Sequence, residues 1–164
     1  MRVLDPIDAA AARAAHLGGR TYATVRRESG GLIVVAFVNH HEITVSRYES
    51  SETVPIETRE FREVDGRLWL RGIKRCNGRH TVPADQQVND WFTWVRPDTT
   101  ATWTRFDHTS PQGRPHEVRL EWDPTAHWFD RPTFGDDAEL IGASNLLELL
   151  WPSAGVLEII DSES

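Results

Sequence analysis

The sequence predicts an α+β fold: a single curved, mainly antiparallel sheet of about six to eight strands, open or closing into a partial barrel, with one N-terminal and one C-terminal helix. Three observations carry this prediction. Helical spacing with end signals is confined to the two ends of the chain, and short alternating or continuous apolar runs fill the stretch between them. An Asp-Gly pair, the strongest two-residue hairpin signal, separates two of those runs at Asp65-Gly66. The 164 residues fit one domain, divided into a helix at about 5–18, a strand-rich body at about 20–129 and an acidic helical segment at about 130–164.

The first helix has its signals at both ends. Asp5 suits the N-cap, Pro6 the first helical position and Asp8 the positive end of the dipole, while Gly18-Gly19 supplies the stop. Ile7, Ala10 or Ala11, Ala14 and Leu17 recur at helical spacing and predict a small-residue face against the sheet. From Thr21 the pattern changes to strands. Thr21–Glu28 alternates weakly, Gly30-Gly31 marks a turn, and Leu32–Val38 is a continuous apolar run that reads as a central strand covered on both faces. Asn39-His40-His41-Glu42 reads as a polar turn, and Ile43–Tyr48 alternates again.

A two-residue loop at Asp65-Gly66 fixes register, because it decides which side chains share a face. Pairing Val64 with Arg67 puts Phe61, Leu68 and Leu70 on the core side and Trp69 on the other, with Arg62 and Arg71 nearby. Trp69 there is either an Arg-flanked contact for a partner or an aromatic covered by Arg stems or a neighbouring element. A further hairpin around Pro97-Asp98 pairs 90–96 with 99–106 and places Phe92, Trp94, Ala101 and Trp103 on one face, with Trp91 among threonines on the other. Val118, Leu120 and Trp122 alternate before Asp123-Pro124 breaks the strand. Asp136 or Asp137 caps a second helix expected from about Ala138 to Trp151, and 156–160 returns as a short final strand.

Composition narrows the function classes. Net charge is −7, and residues 130–164 hold eight acids against Arg131 alone, while the preceding 129 residues are balanced at 17 of each sign. Such a chain is no general nucleic-acid binder, since those carry a basic patch or stripe. Lone Cys76 forms no internal disulfide, which points to the cytoplasm, and no apolar run is long enough for a membrane span. Lys74 is the only lysine beside 17 arginines, and there are seven tryptophans.

No nucleotide-binding, hydrolase or metal motif is present, and no cofactor or metal is expected. Three function classes remain. The first is a non-catalytic protein-binding or inhibitory module, such as a bacterial immunity protein that covers a basic toxin site through Asp130, Asp136, Asp137, Glu139 and Glu148, with Trp69, Arg62 and Arg71 as further contacts. The second is a small-molecule-binding barrel lined by Trp91, Trp94 and Trp103. The third is a His- and carboxylate-dependent enzyme in which Asp107 and His108 meet His116 across the base of a Pro- and Gly-containing loop. Cys76 between Arg75 and Arg79 is a fourth reactive candidate, read more simply as a small side chain.

Overall fold

The computed structural model describes residues 8–39, 41–49, 54–76, 89–93, 100–107, 110–120, 128–142 and 157–160. One antiparallel sheet dominates them, with strands β1 (Tyr22–Glu28), β2 (Gly31–Phe37), β3 (Glu42–Glu49), β4 (Glu57–Val64), β5 (Arg67–Cys76), β6 (Asn89–Thr93), β7 (Thr100–Asp107), β8 (Ser110–Leu120), β9 (Trp128–Phe129) and β10 (Leu157–Ile160). The ladder runs in chain order from β1 to β8 and ends on β10, while β9 pairs with β5. Strands β1–β5 with β9 curl into a six-stranded half-barrel, accompanied by an N-terminal helix and a short C-terminal one, as the α+β prediction requires.

Helix α1 (Ala9–Leu17) starts at Asp8, whose carboxylate accepts the Ala11 N–H at 2.7 Å, and it ends on Gly18 with Gly19 in the left-handed region. Asp5 and Pro6 lie outside the described residues. The buried face is Ala12 and Ala15, whereas Leu17 is 76% exposed, so the predicted face is wrong by more than a third of a turn. An alanine-rich helix offers little apolar contrast, and His16 fixes its rotation. His16 Nδ1 shares a 2.7 Å hydrogen bond with Tyr22 Oη, and the ring stands edge-on to Phe37 and Phe134.

Three cross-strand rows line the inner face of the half-barrel. The first is Tyr22, Phe37, Ile43, Phe61 and Leu70; the second is Thr24, Val35, Val45, Arg59 and Ile73; the third is Arg26, Ile33, Arg47, Glu57 and Arg75. Most of the apolar side chains of these rows that form the core are in the first two, with Ile33 added from the third; Tyr22 stacks on Phe37 at 4.5 Å and Phe129 meets Phe61 edge-on at 5.3 Å. Phe134 and helix α2 (Ala138–Gly142), through buried Leu140, pack against it. Strand β2 is not central: it lies one strand in from the β1 edge, with Ile33, Val35 and Phe37 buried and Leu32, Val34 and Ala36 only half-buried.

The turn at Asp65-Gly66 has both residues at positive φ, 50° and 81°, and pairs Val64 with Arg67 as predicted. The pairing then slips between Glu60 and Phe61, so Arg71 becomes the extra residue of a bulge. Beyond it Ile73 and Arg75, rather than Gly72 and Lys74, share the core side with Phe61 and Arg59. The 97–98 hairpin also has the predicted register, Phe92 opposite Trp103 and Trp91 opposite Thr104, although its tip at 94–99 lies outside the described residues. Of the second helix the described part is Ala138–Gly142, and the predicted final strand pairs with β8.

Candidate functional site

The most chemically loaded part of the described structure is the third inner row. Apolar alternation along β3 and β4 brings Ile43, Val45 and Phe61 to the core, and the same phase places Arg47, Arg59 and Glu57 inward where a hydrophobe is expected. Arg59 is 2% exposed. Its guanidinium is held by the Glu57 carboxylate and donates to the carbonyl oxygens of Leu140 at 3.3 Å and Ile141 at 3.1 Å, which ties α2 to the sheet. Its Nε has no hydrogen-bond partner. Burial pulls the Arg59 pKa down, the Glu57 carboxylate works against this, and Arg47 and Arg75 repel the charge.

The second Glu57 oxygen accepts from Arg75 Nε at 3.0 Å. Both carboxylate oxygens are therefore engaged, and Arg47, which register places directly opposite Glu57, has no ion pair or hydrogen bond from its guanidinium among the described residues. Arg47 is half-buried and walls a pocket of about 300 Å³, together with Glu28, Glu49, Gly31, Ile33 and Ile56. On the far side of the row, Arg26 pairs with Asp137, whose second oxygen accepts from Thr24 Oγ1 at 3.1 Å. The bulge at Arg71 is what brings Arg75 to Glu57, and Gly72 beside it is the sequence signal that would have revealed it.

The sequence-predicted residues fall elsewhere. Trp69 does turn away from the aliphatic face, opposite Arg62, but it is 3% exposed, so it offers no surface contact. The cover is Trp128, its neighbour on β9, with ring centroids 5.2 Å apart, and Arg67 lies over Trp128. Arg62 is exposed and Arg71 half-buried. Asp137 is buried and neutralised by Arg26, so its charge serves the fold; Asp130 is exposed beside Arg67 at 3.5 Å, and Asp136 and Glu139 are exposed. Glu148 lies outside the described residues.

Strand pairing sets Trp91 opposite Thr104 and Trp103 opposite Phe92, and Trp94 lies outside the described residues. The stretch expected as a loop between Asp107 and His116 is largely strand. Asp107 pairs with Ser110, and His116 lies opposite Trp103, four residues away along β7 or about 13 Å. His108 lies outside the described residues. Cys76 is half-buried at the end of β5, and Arg75 beside it is held by Glu57. His41 sits in the predicted turn, with its N–H bonded to Asn39 Oδ1. Among the described residues no group of three or more His, Cys, Asp or Glu is placed to hold a metal ion, and no helix is long and apolar enough to cross a membrane. Comparison of the chain with protein-family models, curated proteins and solved structures finds no match.

Proposed function

We propose that this protein is a non-catalytic binding module that takes a small molecule bearing a carboxylate, phosphate or similar anion at the charged end of its half-barrel. One observation carries the reading: Arg47 walls a pocket at the Gly30-Gly31 end of β2 and β3 while its cross-strand carboxylate, Glu57, is occupied by two other arginines. A planar guanidinium with unused donors is suited to bidentate capture of an oxyanion. Pockets of this size hold small ligands when a few polar groups converge on an apolar wall, here Ile33 and Ile56. A screen of small carboxylates, phosphates and sulfates by amide chemical-shift perturbation tests it. Binding should move the Gly31, Ile33 and Arg47 amides and be lost in Arg47→Gln; a screen that leaves those amides unmoved defeats the reading.

The protein-binding class keeps one supporting observation, the exposed Asp130, Asp136 and Glu139 on the segment that packs over the core. As an inhibitory or immunity-type module, the protein would meet a basic partner through these acids, in the cytoplasm that its single cysteine suits. Neutralising the three together should slow association with such a partner several-fold at low salt. A captured partner whose association rate ignores both salt and these substitutions removes this reading.

A further inference from the structure

We propose, resting on the small-molecule reading above, that the ligand is a zwitterion of dipeptide length, its carboxylate on Arg47 and its ammonium between Glu28 and Glu49. Register places Glu28, Gly31 and Glu49 in one inner row, immediately beyond the row of Arg26, Ile33 and Arg47. Neighbouring strands are about 5 Å apart, so the two carboxylates stand about 10 Å apart at the backbone, astride a glycine that puts no side chain between them. Both are exposed, and neither has an ion pair or side-chain hydrogen bond among the described residues. Arg26, the nearest cation to Glu28 on the same face of β1, is committed to Asp137. The pocket thus presents an uncompensated cation on one row and two uncompensated anions on the next.

A ligand of either single charge would satisfy one row and face repulsion or desolvation on the other. A molecule with both charges satisfies the two at once. Two residues along a strand span about 7 Å, which sets the separation between the Arg47 and Glu49 positions. An α-amino acid holds its charges closer than this, whereas two extended residues of peptide reach about 7 Å from end to end. Ile33 and Ile56 give the middle of the ligand an apolar wall.

The test titrates the full chain at low salt with Ala-Ala and Ala-Leu, each unblocked, N-acetylated and C-amidated, reading dissociation constants from the Gly31 and Ile33 amide shifts. The unblocked dipeptides should bind at least about tenfold more tightly than either blocked form. Glu28→Gln with Glu49→Gln should abolish the preference over the acetylated form, and Arg47→Gln the preference over the amide; these exposed or half-exposed sites leave the core intact, which circular dichroism checks. If the acetylated form binds as tightly as the unblocked one, the zwitterion is overturned while the anion-binding reading stands. If the amide binds as tightly, or if no dipeptide binds while a simple carboxylate or phosphate does, the zwitterion is likewise overturned. If no anionic probe of any kind perturbs the pocket, both fall.

Discussion

Gly30 and Gly31 are adjacent in the chain and differ in what they tolerate. A Cβ on Gly31 would lie 1.8 Å from the Tyr48 carbonyl oxygen, whereas one on Gly30 meets nothing within 4 Å. Gly31→Ala must therefore shift backbone against backbone and should cost about 1–3 kcal/mol, while Gly30→Ala should be neutral or slightly stabilising, as urea denaturation of the pair will show. A second contrast lies in the charged row. Glu57→Leu strands the buried Arg59 without its carboxylate and should cost about 3–5 kcal/mol. Arg59→Met should cost less, because Glu57 keeps Arg75. Equal losses in the two variants would show that the cluster is not organised around the Glu57 carboxylate. At this scale the sequence was poorly legible: nothing about Arg47, Glu57 or Arg59 marks them as inward-facing until the strand phase is known.

Helix α1 shows what an element's own sequence can and cannot state. Its C-terminal end was readable because Gly18-Gly19 acts within one turn, but its start was read three residues early, at Asp5, where Asp8 is the cap; its orientation was not readable, because His16 takes its partners from β1, β2 and the segment carrying Phe134. That docking should respond to pH in two directions. Burial first, and the Arg131 cation second, lower the His16 pKa, so the folded protein favours the neutral ring. Its contribution is complete above the unfolded value near 6.5 and is lost as pH falls through that value toward the lowered one. Burial, with the Asp137 carboxylate, raises Tyr22 to about 12, so its contribution is complete below pH 10 and is lost as pH rises from 10 to 12. Denaturation midpoints should therefore hold level between about pH 7 and pH 10. His16→Gln should flatten the acid side and Tyr22→Phe the alkaline side; a wild-type acid slope that survives in His16→Gln would assign it to other groups.

Across the whole molecule, the pairing next to Asp65-Gly66 followed from turn chemistry, because a two-residue loop fixes the register beside it, and the β6–β7 register is the one a two-residue loop at 97–98 predicts. The bulge at Arg71 and the capture of β5 by β9 were not legible, since both depend on residues distant in sequence. The acidic segment changed meaning for the same reason. Asp137 bonds Thr24 and Arg26 across the fold and anchors the start of α2 beside β1. Asp137→Asn should cost about 1–2 kcal/mol, discounted because Arg26 is half-exposed, and should speed amide exchange at Leu140 and Ile141 before that of β4 and β5. Uniform acceleration across the sheet would argue against a local anchor.

The shared edge of β5 has a further consequence in time. On the edge away from β4 its later half pairs with β6, whereas Leu68 and Trp69 pair there with Phe129 and Trp128, about sixty residues onward. The β1–β5 hairpins close locally and quickly, whereas β9 must wait for a long loop to close. During synthesis the pair Leu68-Trp69 therefore leaves the ribosome before its β9 partner exists, and waits until residue 129 has emerged. The two-residue strand β9 is thus the step that takes the nascent chain out of danger of aggregation.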